Sequence, residues 1–328
     1  MKIKEKRILT SVLICLIFSI IISACIGKYP ITIKDIWIIL TGGDIPDITR
    51  NVFLTLRLPR VFMGLIAGIG LGVAGSIYQT IFKNPLASPD IIGVAAGANL
   101  GSAFAIVMLG GSGTAIPVMS FLGAFAAALI VLSFVKATKQ ETTITYVLAG
   151  IVITAISNSF IMMLKISADP ENELAAIEYW TMGSLAHIIL NKLLIVLPFF
   201  AISLLGLFLI RRQIALLSLP EDECRTLGVC VGRIRIIVLG LTTLIVASII
   251  SATGLISFVG LVSPHIAKLM LKRNNILTVI ISALVAGTIL LISDSFARGL
   301  FSVEIPISIL TTLIGVPVLV YFMFKKGS

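Results

Sequence analysis

The chain has 328 residues, 58% of them hydrophobic and 12% charged, with a mean hydropathy of +1.13. Soluble domains carry about 45–50% apolar and about 25% charged residues, so a water-soluble globule is excluded. The net charge of +10 does not mark a nucleic-acid binder, because the Lys and Arg residues sit in short clusters between apolar runs, where they act as topology signals.

Lys2, Lys4, Lys6 and Arg7 precede an apolar run over 8–27. "ISAC" at 22–25 looks like a lipoprotein cleavage site, but the run exceeds the roughly 7–15 residues of a signal core and is long enough to span, so it reads as a retained first helix. Residues 28–56 read as an outer loop, moderately polar and amphipathic. Apolar stretches follow at 61–79, 91–109, 114–135, 143–164 and 193–210. In "GLIAGIGLGVAG", 64–75, small residues at helical spacing predict close helix packing rather than a dinucleotide loop. Between 166 and 190, Asp169, Glu171, Glu173 and Glu178 precede "WTMGSL", which predicts a short surface helix with Trp180 at the interface.

"LSLPEDECRTLGV", 217–229, is a polar, acid-bearing run between oily neighbours. A docking segment and a solvated linker both fit it. The stretch 236–271 would be about 54 Å long as one helix, against a hydrocarbon core of about 30 Å. It contains Gly254, Gly260 and Pro264 and has basic residues at both ends, so it is expected to cross twice, with Pro264 opening the second, shorter helix. Stretches at 276–297 and 305–324 complete about ten spans. Basic residues at both termini require an even number of crossings, and alternating loops then place roughly two-thirds of the 25 Lys and Arg residues, and segment 217–229, in the cytoplasm.

The spans are nearly empty of ionisable groups, which argues against an ion-coupled carrier. Asp294 and Arg298, one turn apart near an outer end, read as a structural or interfacial pair rather than a relay. No G-x-x-x-x-G-K-[ST] is present to cradle phosphates. Cys15, Cys25, Cys224 and Cys230 form no C-x-x-C pair and read as lipid-facing or loop thiols, and His265 has no ligand set around it, so no metal site is assigned. The chain therefore reads as a membrane pathway whose energy, if transport is active, comes from a partner.

Seven motifs in order carry a family resemblance: "RLPR" (57–60), "NPLASPDIIGVAAGA" (84–98), "YWTMGSL" (179–185), "LSLPEDECRTLGV" (217–229), "GLISFVGLVSPHIAKLM" (254–270), "DSFAR" (294–298) and "EIPISILTTLIGVPVLVY" (304–321). From about Leu54 to Phe324 the chain resembles the FecCD family, the permease subunits of ABC importers for iron–siderophores, haem and cobalamin. The resemblance implies an all-α polytopic membrane protein like the cobalamin-importer permease. It would have about ten transmembrane helices per subunit, both termini cytoplasmic, in a bacterial cytoplasmic membrane. It implies a non-catalytic subunit in a homodimer or pseudo-dimer, two ATP-binding subunits that hold the ATP and Mg, and an extracytoplasmic substrate-binding protein. The permease itself would need no cofactor.

Carried over by position, Arg57, Arg60 and Arg298 match arginines that face the binding protein. Asn84, Leu86, Thr142 and Thr143 match loops that constrict the cytoplasmic exit. Ser218, Leu219, Pro220, Glu221, Asp222, Glu223, Arg225, Leu227 and Gly228 match the short coupling helices that seat in the ATPase. The implied organisation is a first helix at 8–27, the outer loop 28–56, helices two to six over 57–210, a coupling segment at 211–230 and helices seven to ten over 231–324. Pro220, Lys268 and Ser308 depart from the glycine, arginine and glycine expected of the family. The alternative reading is an ion-coupled secondary transporter or a channel.

Overall fold

The computed structural model describes residues 3–138, 142–299 and 303–326, and among these every regular element is helical. In chain order these are α1 (Ile3–Cys25), α2 (Ile33–Leu40), α3 (Asp47–Asn51), a π-helical turn (Val52–Arg57) and α4 (Leu58–Ile81). A 3-10 turn (Pro89–Ile92) leads into α5 (Val94–Met108), followed by α6 (Ala115–Thr138), α7 (Thr143–Ser167), α8 (Glu173–Thr181) and α9 (Leu190–Leu209). The short α10 (Arg211–Leu216) and α11 (Glu221–Thr226) precede α12 (Val231–Thr253), α13 (Val259–Leu271), α14 (Ile276–Gly299) and α15 (Ile307–Lys326).

Among the described residues, seven helical segments are long and apolar enough to cross a membrane: α1, the continuous Asp47–Ile81, α6, α7, α9, α12 and α14. Three apolar helices are shorter, Val94–Met108, Val259–Leu271 and Ile307–Phe322. At 1.5 Å per residue α13 measures about 20 Å, short of a hydrocarbon core of about 30 Å. Residues 28–56 are largely helical: Thr32 and Asp35 form a reciprocal capping box on α2, and α3 runs through the π turn into α4.

α4 and α12 form the centre, with 78% and 72% of their membrane-length windows buried, while α1 and α7, at 22% each, face outward. The glycines of α4 explain its position. A Cβ at Gly68 would stand 2.5 Å from Cα of Gly287 on α14, so only hydrogen lets these backbones meet. α5 and α6 meet the same way: a Cβ at Gly97 would lie 2.4 Å from the carbonyl oxygen of Gly123.

The long stretch 236–271 breaks as its length requires. Gly254, at φ 70°, ends α12, and Phe258, at φ 66°, precedes α13. Pro264 does not open α13, which begins at Val259 and carries the proline inside it. The tertiary packing gives the reason. A proline has no N–H for the carbonyl four residues back, here Gly260, and that oxygen lies so close to Gly75 of α4 that a Cβ there would stand 1.7 Å away. The missing donor lets Gly260 face a neighbouring backbone.

Candidate functional site

Two ends and one cavity concentrate the polar chemistry. At one end, the start of α4 meets the ends of α1 and α14. Arg60 donates from Nε to Oδ1 of Asp294 at 2.9 Å and holds the same oxygen through Nη2 at 2.8 Å. Its Nη1 reaches Oε2 of Glu304 at 3.0 Å. Arg298 faces Oδ2 of Asp294 at 3.2 Å and donates to the hydroxyl of Ser23 at 2.7 Å and to the Ser23 carbonyl. Arg57, in the last position of the π turn, donates to the carbonyls of Ala24, Cys25 and Tyr29.

These contacts satisfy two physical requirements. The last carbonyls of a helix lack intrahelical donors and carry partial negative charge, and two guanidinium groups cap those of α1. Among the described residues three buried cations face two carboxylates here, and the carbonyl oxygens of the α1 terminus add negative potential. The structure thus brings Arg57, Arg60 and Arg298 together but turns them inward, at 4%, 8% and 5% exposure. Asp294 and Arg298 form the structural pair that their spacing predicts. Glu304 is the member of this network that sequence reading missed.

At the opposite end of α4, Nζ of Lys83 donates to the carbonyl of Leu219 at 2.6 Å, joining α4 to segment 211–230. That segment is compact. Leu217 is buried, and Cys224, at 1% exposure, donates from Sγ to the Leu216 carbonyl at 3.0 Å. Cys224 is therefore not a loop or lipid-facing thiol but an internal staple between α10 and α11. Pro220 is compatible with α11, since its carbonyl accepts the Cys224 N–H at 3.1 Å and its own missing N–H falls ahead of the helix, where none is needed. Gly228, at φ 77°, closes α11, and the Val229 N–H returns to the Cys224 carbonyl at 3.0 Å. Ser218, Asp222, Glu223 and Leu227 remain exposed, while Leu219 is half-buried. The side chains of Glu221 and Arg225 lie outside the described set.

Asn84 Oδ1 accepts the Leu86 N–H at 2.9 Å, folding 84–87 into a tight turn that leaves the Leu86 side chain 63% exposed. Thr142 caps α7 by accepting the Thr145 N–H, and Thr143 begins that helix. Within one chain the two segments meet farther on, where a Cβ at Gly150 would lie 1.8 Å from the Ile91 carbonyl.

That close approach holds the 3-10 turn against a cavity of about 210 Å³ lined by Leu71, Ser88, Asp90, Val246, Ser257 and Gly260, among others. Asp90 is exposed and lines this cavity together with Leu71, which lies near the middle of α4. Asp90 escaped the sequence reading because it falls between two apolar runs and reads as a loop residue. Nearby, the family departures are absorbed locally. Lys268 donates to Gln79 Oε1 at 2.8 Å, and Ser308 donates to the Leu255 carbonyl at 2.7 Å. The Nδ1–H of His265 donates to the Leu261 carbonyl at 2.8 Å, the backbone contact expected of a lone histidine in a helix.

A polytopic helical chain, closed at one end by a charged knot and carrying a compact polar corner at the other, has the organisation of a transporter's membrane subunit. The FecCD transport family profile matches residues 15–325, and the chain belongs to that family of ABC transporter permeases. It is 34% identical to the molybdate import system permease protein MolB of Haemophilus influenzae, over 98% of this chain and 97% of that one. It is 29% identical to the hemin transport system permease protein HmuU of Yersinia pestis, over 99% and 97%. A solved structure described as an inward-facing conformation of a metal-chelate type ABC transporter superposes with a TM-score of 0.88 at 31% identity, covering 98% of this chain and 99% of that one.

Proposed function

We propose that this chain forms the translocation path of an ATP-driven importer for an iron–siderophore complex or a related chelate, and that a separate ATPase drives it through residues 211–230. Ser218–Gly228 would seat in the ATPase. The single observation that supports this best is the corner itself. Cys224 and the buried Leu217 make α10 and α11 one unit, and Lys83 joins that unit to central α4, so a push on the corner reaches the core as a rigid displacement. In this reading two copies pair across a central axis, with both termini in the cytoplasm and about ten crossings per subunit of a bacterial cytoplasmic membrane. Asn84, Leu86, Thr142 and Thr143 of both copies would narrow the exit. ATP and Mg belong to the ATPase. The binding protein would dock on the end that Arg57, Arg60 and Arg298 hold in register.

Co-purification tests the coupling: the ATPase is expected to be retained by the native chain and lost when 217–229 is replaced by a neutral linker of equal length. Retention by the linker variant overturns the assignment. Asp90 gives the ion-coupled reading its specific observation, since a carboxylate lining a cavity among membrane helices can bind a coupling ion. Uptake that persists with ATP after the proton and sodium gradients are dissipated selects the ATP-driven reading; uptake that stops selects the carrier.

A further inference from the structure

A cavity larger than the one beside the 3-10 turn lies away from that turn and from the charged knot. It is a trough of about 680 Å³ between α4, α9 and α14, floored by Ile69, Val73 and Ile77 of α4 and walled by residues such as Leu204 and Ala283. Its polar lining is confined to one end. Thr80 near the end of α4, Arg211 and Ser218 beyond the end of α9, and Asn274 and Asn275 at the start of α14 all fall at the level of the coupling segment. From Ile69 to Thr80 the trough follows α4 for about 16 Å, close to half of a hydrocarbon core of about 30 Å. An apolar slot one leaflet deep, ending in a cation and two amides, is the complement of an amphiphile with an acyl chain and an anionic head.

Arg211 is held at the mouth. Its Nη1 donates to the Phe208 carbonyl at 2.8 Å and its guanidinium stacks over the Phe208 ring at 4.2 Å, which uses one of its five N–H groups. Arg212 and Lys272 add positive charge to the same two corners, where Arg273 is paired with Glu5 at 3.3 Å, and basic pockets between membrane helices at the cytoplasmic face attract anionic headgroups. A second copy of the chain would have to present a narrow ridge to fill this slot, whereas an acyl chain needs no complementary shape of its own.

We propose that the trough binds an anionic phospholipid, with an acyl chain along Val73 and Ala283 and the phosphate at Arg211 beside Asn274 and Asn275. Because Arg211 opens α10, the bound lipid ties the start of the coupling segment to the α13–α14 turn.

The purified full-length permease in detergent, examined by native mass spectrometry, tests this with phosphatidylglycerol and phosphatidylcholine of identical chains and with inorganic phosphate. The expected result is about tenfold greater retention of phosphatidylglycerol, reduced about tenfold by Arg211→Gln, as the loss of a charge-assisted hydrogen bond implies. Ala201→Trp, at an exposed position on the wall, fills the slot and is expected to abolish retention of both lipids. Thermal unfolding confirms that each variant is folded; if Arg211→Gln is not, the Ala201→Trp comparison decides alone. Equal retention of the two lipids, retention unaffected by Ala201→Trp, or displacement of the lipid by inorganic phosphate overturns the proposal. So does efficient disulfide cross-linking of Ala201→Cys between two copies in native membranes, which would place a second chain in the trough.

Discussion

Asp294→Asn is the sharpest probe of the charged end. Asp294 is fully buried and receives Arg60 on one oxygen and Arg298 on the other, at 2.8 and 3.2 Å. The amide keeps the shape and removes the charge, leaving three buried guanidinium groups with Glu304 as the remaining carboxylate of the network. Removing one partner of a buried ion pair costs about 3–5 kcal/mol, because the other charge stays desolvated and uncompensated. For a chain of this size about 2 °C of melting temperature accompanies each kcal/mol, so a fall of about 6–10 °C is expected. Intrinsic tryptophan fluorescence during heating in detergent micelles measures it. Adding Arg298→Met removes one stranded cation and is expected to recover part of the loss. A fall under about 2 °C, or no recovery in the double variant, refutes the electrostatic account. The exposed pair Lys165–Glu178, at 2.6 Å, is the control: Glu178→Gln is expected to cost less than about 1 kcal/mol.

Gly75→Ala puts a methyl group against the Gly260 carbonyl and is expected to cost about 3 kcal/mol, seen as aggregation in size-exclusion chromatography, whereas Gly64→Ala meets only the flexible ends of Leu185 and Leu291 and is expected to be tolerated. Lys83→Met cuts the tie between α4 and Leu219; if that tie transmits force, ATP-driven uptake falls about fivefold while ATPase association measured by pull-down is unchanged. Asp35 accepts from the backbone N–H and the hydroxyl of Thr32, which hold its carboxyl below the ordinary 3.8. Its contribution to α2 is present above 3.8 and lost as pH falls through the lowered value, so hydrogen-exchange protection across 33–40, taken relative to the intrinsic rate, is expected to fall only in that acid range, whereas Asp35→Asn is expected to show reduced protection above it and no such acid step.

Much of the architecture was legible from local pattern. Apolar run length announced membrane helices, the excess length of 236–271 required a break, and the glycines at 64–75 marked a helix that others approach closely. Ordered motifs identified the family and directed attention to 217–229. Local rules failed where a distant partner decided the outcome. Pro264 fits a helix start by its missing N–H, yet it lies inside α13 because Gly260 packs against Gly75, which no window around 264 contains. Cys224 reads as a lipid-facing or loop thiol until α10 folds back over it. Run length also left helix length open: α5 and α13 have 15 and 13 residues, fewer than the roughly 20 that span a hydrocarbon core.

Composition, hydrophobic run length and motif order determined what kind of protein this is and where its membrane helices fall, because burial in lipid is a demand each segment meets by itself. Which charges meet was decided only by the tertiary structure. Arg298 and Ser23 stand 275 residues apart, and Arg60 and Asp294 stand 234 apart. Their pairing depends on the angle and depth at which α1, α4 and α14 pack, and between α4 and α14 the close approaches at Gly68 and Gly72 set that geometry.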